Sequence, residues 1–259
     1  MLGGVTVSVT AADGTRLAAR RTGRGAPVVF VHPSAGGLDS WDPILPLLPD
    51  EPELWVYARR GYSPSEDGPR PKTFADDVRD LDAVLAAAGG SAHVVGASYG
   101  GTVALHAAAT GNPAIRSLTV FEPPLFAAGT GALEPYRRLV TAGEYGAAAR
   151  LFATEVARIP ASLLAALPAD DGDPAEAAGC LSDLEALAAD SADVDRWGSI
   201  GVPVLLLQGG DTWAPMPETM DALASALPKA ERVVLAGQSH FATHTAPALF
   251  AGALARFLG

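Results

Sequence analysis

The chain is poor in cysteine, in lysine and in charge, and it has no long apolar run. Its one cysteine, Cys180, excludes an internal disulfide and a cysteine-built metal cage. Lysine occurs only at positions 72 and 229, against 16 arginines, a skew that points to a GC-rich coding sequence and not to a function. Lys and Arg total 18 and Asp and Glu 29, a formal net charge of −11. So acidic a chain repels phosphate backbones, and no nucleic-acid partner is expected. No apolar stretch reaches the roughly 18 residues of a membrane span, so no membrane partner is expected either. Met1-Leu2-Gly3-Gly4-Val5 lacks the basic region and apolar run of a signal peptide, which leads to an expected cytoplasmic location. Glycine-rich phosphate loops are missing too: Thr22-Gly23-Arg24-Gly25 precedes a strand, not a helix.

What is present is a core-forming composition, with 49% apolar residues in a chain of 259. Val5, Val7 and Val9 alternate with polar residues, and Asp13-Gly14 supplies a turn, so the first 22 residues read as a hairpin. Residues 27–31, 54–57, 92–95, 118–121, 202–207 and 232–235 are short apolar runs suited to strands buried on both faces. Helical spacing falls between them: a short helix over 41–48, then helices over 73–88, 100–109, 217–227 and 247–258. This alternation predicts a parallel α/β sheet with helices on both faces. Residues 127–199 interrupt it. Tyr145, Ala149, Phe152, Val156 and Ile159 lie at helical spacing, and Asp173-Pro174-Ala175-Glu176 has the form of a helix start. The expected division is a core of 1–126 and 200–259, with 127–199 a helical lid over the strands' carboxyl ends, where ligands bind in open α/β sheets.

Gly96-Ala97-Ser98-Tyr99-Gly100 stands between a predicted strand and a predicted helix. A serine on so sharp a turn needs small neighbours and faces the free N–H groups of the helix start. Its hydroxyl needs a base. Of five histidines, His93 and His106 lie in regular elements and His32 ends a strand. His240, in a loop five residues past the last strand, is the candidate base, and His244 reads as a surface or capping residue. The base in turn needs an acid to fix its tautomer. Asp211, after the strand at 204–207, is favoured, and Glu122, after the strand at 118–121, is the rival. Phe126, Trp213 and Phe241 flank these positions and are candidate substrate contacts. His240 and His244 have the i, i+4 spacing of a zinc helix but no following Glu and no third ligand, so no metal and no cofactor are expected.

Four segments in this order resemble the α/β-hydrolase superfamily: Val-His-Pro-Ser-Ala-Gly-Gly at 31–37, Gly-x-Ser-x-Gly at 96–100, Gly-Gly-Asp at 209–211 and Gly-x-x-His at 237–240. The resemblance spans nearly the whole chain and matches the order Ser98, Asp211, His240. It implies a mostly parallel eight-stranded sheet with a helical cap, and oxyanion donors at the backbone N–H groups of Ser34 and Tyr99. Pro33 stands where the family usually has glycine, which stiffens the loop. The implied function is hydrolysis of an ester, lactone or thioester of a small, largely apolar substrate through an acyl-enzyme, by a monomer or homodimer. Two alternatives stay open on this fold. One is a different reaction with the same triad, such as cofactor-free haloperoxidase or perhydrolase chemistry, C–C hydrolysis or cyclisation. The other is a non-catalytic small-molecule receptor.

Overall fold

A computed structural model describes residues 4–49, 52–68, 70–126, 131–165 and 171–259, without the Ser162 side chain. Residues 127–130 and 166–170 of the expected lid, and the first three residues, lie outside this set. β1 (Val5–Thr10) and β2 (Arg16–Thr22) form the predicted hairpin, with the Thr15 N–H bonded to Asp13 at the turn. β3 (Pro27–Val31), β4 (Glu53–Tyr57), β5 (Ala92–Ala97), β6 (Ile115–Phe121), β7 (Val204–Gly209) and β8 (Ala230–Leu235) complete an eight-stranded sheet. The order is β1-β2-β4-β3-β5-β6-β7-β8. Only β2 runs antiparallel to both its neighbours, and every pair from β4 to β8 is parallel.

The continuous apolar runs follow from burial on two faces. Val29 and Val31 of β3 enter one core with Trp55, Tyr57, Val94, Leu206 and the helices α1 (Phe74–Ala87) and α2 (Tyr99–Ala109). Val28 and Phe30 enter the other, with Leu54, Val56, Leu205, Leu207 and Phe250. β3, β4, β5 and β7 alternate between the two, which removes the polar alternation of a half-exposed strand. α1 starts in a capping box, with the Thr73 N–H bonded to Asp76 at 2.8 Å. The short helix expected over 41–48 is instead a set of turns ending in a 3-10 turn at Leu45–Leu47. Pro46 removes an N–H donor that an α-helix there would need, and its ring would crowd the carbonyl of Asp42.

Between β6 and β7 the described chain is helical: α3 (Leu133–Thr141), α4 (Tyr145–Leu151), a π turn at Phe152–Val156, α5 (Ala161–Leu164) and α6 (Pro174–Ala189). The single helical stripe expected from Tyr145 to Ile159 is thus broken by the π turn. Asp173 caps α6 by accepting the Ala175 N–H at 2.8 Å. α7 (Met216–Ala226), α8 (Ala242–Thr245) and α9 (Pro247–Leu258) close the fold. No helix among the described residues is long and apolar enough to cross a membrane.

Backbone packs against backbone at the β5–α2 turn. A Cβ on Gly100 would stand 2.3 Å from the Val31 carbonyl oxygen, and one on Gly96 would stand 2.3 Å from the Gly100 oxygen. Both obstacles are backbone and cannot swing aside. We predict that Gly100→Ala lowers unfolding stability by about 3 kcal/mol, at the upper end for overpacking. Gly201→Ala, in open space, should leave it unchanged or slightly raised. Urea denaturation of both variants checks this, and equal midpoints would contradict it.

Candidate active site

The carboxyl ends of β3, β5, β6, β7 and β8 deliver every residue singled out by the sequence. Ser98 is forced to φ 51°, ψ −122° between β5 and α2, with its N–H bonded to Phe121 O at 2.8 Å. Its carbonyl receives the N–H groups of Gly101 and Thr102, which starts α2 directly beneath the hydroxyl. Ser98, Ser34, Tyr99, Phe126, Trp213, His240 and Phe241 all line one cavity of about 1080 Å³. No hydrogen bond of the Ser98 hydroxyl is present among the described residues. Catalytic hydrogen bonds are often long before substrate binds.

The carboxylate on His240 is that of Glu122, not Asp211. His240 Nδ1 lies 2.7 Å from Glu122 Oε2. Glu122 is fully buried, and its other oxygen accepts the Gly209 N–H at 2.8 Å, while the Thr212 hydroxyl donates to Oε2 at 3.2 Å. Asp211 is exposed. Its backbone N–H is tied to Gln238 O at 2.8 Å, and its carboxylate has no partner among the described residues. The expected Asp211–His240 pair is therefore not formed. The reason is backbone geometry: Glu122 takes a left-handed φ of 44°, which turns it at the end of β6 into the sheet's carboxyl edge. The imidazole is held among Phe121, Trp213 and Phe241, with ring centroids 5.3–5.9 Å away. These fix its plane, and Nε2 has no hydrogen bond among the described residues.

His244, expected as a surface or capping residue, also lines the cavity, from the short helix α8. The stripe of Tyr145, Phe152 and Val156 lines it as well. His93 bonds to Ser117, and His106 stacks on Phe74 and faces Asp190 at 3.0 Å, so both are used in packing. Arg59 and Arg60 are fully buried in internal pairs, with Asp183 and Asp80 respectively, and neither is open to an anionic ligand.

Pro33 serves as an acceptor. Its carbonyl receives His32 Nδ1 at 2.6 Å and an Arg59 N–H at 3.2 Å. Ser34 Oγ donates to Asp183 Oδ2 at 2.7 Å. Asp183, on α6, was not singled out by the sequence reading, although it shares a helix face with Cys180 and Leu187. An acid on an otherwise apolar face is the signal that marks it. Burial alone would raise its carboxyl, but the charges of Arg59 and Lys72 hold it well below the usual carboxylate range.

The geometry defines a doubly wound α/β protein with a strained serine turn and a carboxylate-bound histidine at one sheet edge. The chain matches the alpha/beta hydrolase family over residues 28–253 and belongs to it. It is similar to a crystallised alpha/beta hydrolase from Sphaerobacter thermophilus, with 32% identity over 98% of this chain and 100% of that one, and a TM-score of 0.84. A thermophilic esterase from Thermogutta terrifontis shares the fold, with 24% identity over 98% and 97% of the chains and a TM-score of 0.82. A putative carbamate hydrolase, RutD, from Azorhizobium caulinodans is 30% identical over 99 residues. That match covers 38% of this chain and 37% of the relative.

His32 supplies a pH test of the site's frame. Its Nδ1 donates to Pro33 O and its Nε2 accepts the Arg59 N–H at 2.9 Å, an arrangement only the neutral ring can satisfy. Burial, then the charge of Arg59, pushes its pKa well below 6.5. The unfolded chain takes up that proton near pH 6.5 and the folded chain does not. Stability present above pH 6.5 is therefore lost as pH falls, by up to about 1.4 kcal/mol per pH unit from this residue. The depressed Asp183 acts only below about pH 4, but burial also lowers His93 and His244, which add to the loss with the same sign. Urea midpoints should drop between pH 7.5 and pH 5. A flat profile would contradict the neutral-ring assignment.

Proposed function

We propose that the protein is a serine hydrolase of small, uncharged, largely apolar esters, lactones or thioesters, working through Ser98, His240 and Glu122. The observation that carries this reading is the 2.7 Å contact of His240 Nδ1 with a fully buried carboxylate, in a cavity that also holds the strained Ser98. His240 Nε2 takes the Ser98 proton as Oγ attacks the substrate carbonyl. Glu122 stabilises the imidazolium and keeps Nδ1 protonated. The N–H groups of Ser34 and Tyr99 receive the oxyanion, each such donor contributing about 3–4 kcal/mol. His240 then protonates the leaving group. Water, deprotonated by His240, releases the acid from the acyl-enzyme and returns the proton to Ser98.

Helices of the 127–199 stretch roof the cavity with Tyr136, Tyr145, Phe152 and Leu184, and we assign that stretch as the cap. The choice of an uncharged substrate rests on the lining. No Arg or Lys faces the cavity among the described residues, and the residues outside that set include neither type. Asp39, Asp173 and Glu176 do line it. A substrate carboxylate would therefore be desolvated with no Arg or Lys lining the cavity to receive it; Arg158 lies over the Trp213 ring, 5.6 Å from its centroid, but is not among the lining residues. Phe126, Trp213 and Phe241 provide apolar contact near the reacting centre.

Kinetics on a p-nitrophenyl ester panel tests the assignment. Ser98→Ala should abolish turnover while keeping the fold. Glu122→Gln should lower kcat by about 10³–10⁴-fold, as expected when the acid of a triad is lost, whereas Asp211→Asn should stay within about twofold. A butyrate ester should be preferred over a hemisuccinate at least about tenfold, the scale of one unpaired polar group. Turnover surviving in Ser98→Ala would overturn the mechanism. Loss in Asp211→Asn with retention in Glu122→Gln would return the acid to Asp211.

A further inference from the structure

Four charged side chains lie buried together behind the proposed oxyanion hole. Arg59 and Lys72 carry two positive charges, Asp77 and Asp183 two negative, and each side chain is no more than 3% exposed. Arg59 makes a two-pronged contact with Asp183 at 3.0 and 2.7 Å, Lys72 bonds to Asp183 and lies 3.3 Å from Asp77, and Arg59 is 3.8 Å from Asp77. The cluster is neutral as a whole, yet four desolvated ions are rarely more stable than apolar side chains of the same volume. Its connections suggest another use. Ser34 Oγ donates to Asp183 at 2.7 Å, and Tyr99 OH donates to Asp77 at 2.7 Å. Ser34 and Tyr99 are the two residues whose backbone N–H groups are assigned to the oxyanion. Both are thus anchored by their side chains to the same cluster. Arg59 also bonds to the carbonyls of His32 and Pro33, just before Ser34.

The geometry points to this quartet as the positioning device of the oxyanion hole, with Asp183 the part supplied by the helical insertion. Asp183 comes from α6, whereas Arg59 follows β4, Lys72 precedes the cap of α1 and Asp77 lies in its first turn. The separation of the two N–H donors is then set by four ions that cannot move independently. The insertion is pinned to the core at the point where the transition state is stabilised. A change at Asp183 would reach the chemistry through Ser34, without touching substrate. This inference rests on the serine-hydrolase reading.

The test uses Ser34→Ala and Tyr99→Phe, which cut one link each without exposing a buried charge. Asp183→Asn is added as the direct variant. Wild type and Ser98→Ala are run alongside on p-nitrophenyl butyrate, with an alkyl boronic acid as the transition-state analogue. If wild type and Ser98→Ala hydrolyse equally, the reading itself has failed. If they differ, Ser34→Ala and Tyr99→Phe are each expected to lose about tenfold in kcat, a fraction of the 10²–10³ for a donor removed outright. KM should stay within about twofold, with boronate affinity falling in step with kcat/KM. Thermal midpoints show whether each variant is folded. The inference is overturned if both folded variants keep kcat within twofold of wild type, or if their loss lies in KM alone. Asp183→Asn, if folded, should lose at least as much kcat as Ser34→Ala, and a wild-type kcat there would also overturn it.

Discussion

The architecture turns on a backbone contact that no side chain could allow. The ends of β3 and β5 approach so closely at Val31, Gly96 and Gly100 that a single added methyl would overlap a carbonyl oxygen. That approach throws Ser98 out of the sheet edge in a left-handed conformation and sets the start of α2 beneath it. Among the described residues, three of the four non-glycine residues with positive φ, Ala35, Ser98 and Glu122, follow the ends of β3, β5 and β6 around the same edge. Each such residue costs on the order of 1–3 kcal/mol, and strain of this kind collects where a fixed geometry is needed. The two cores on either side of the sheet hold these turns in place.

Around that edge the protein places few but well-connected polar groups. Glu122 has both oxygens satisfied, by Gly209, Thr212 and His240, so its orientation is determined without solvent. Asp183 accepts from Ser34, Arg59, Tyr62 and Lys72. In an interior of low dielectric, charges paired so completely are rigid, and an unpaired one would be costly. The buried carboxylates of Asp80 and Asp183 are paired with the few buried cations, Arg59, Arg60 and Lys72, while Asp39, Asp173 and Glu176 carry part of the acidic surplus to the cavity wall.

Much of this was legible in the residues themselves. The two-faced strands were visible as runs such as Val204–Leu207, because burial on both sides removes polar alternation. The elbow was visible because Gly96 and Gly100 must lack a Cβ. For the acid the sequence favours Asp211, whereas the structure pairs His240 with Glu122. Glu122 and Asp211 both follow apolar strands, and only the backbone turn at Glu122 and the outward tie of the Asp211 amide to Gln238 separate them. Apolar spacing over 41–48 suits a helix, but Pro46 lacks the donor that a second helical turn requires, and the segment forms turns instead. The quartet was out of reach of periodicity, since Arg59, Lys72, Asp77 and Asp183 are brought together only by the tertiary fold.

The claim beneath the functional reading is that Ser98, and no other hydroxyl, is made nucleophilic by His240 in its shared cavity. Treatment with a fluorophosphonate followed by peptide mass spectrometry addresses it directly. The account predicts one phosphonylated site, Ser98, with labelling lost in His240→Ala. A stoichiometric adduct elsewhere, or labelling of Ser98 at the wild-type rate without His240, would contradict it.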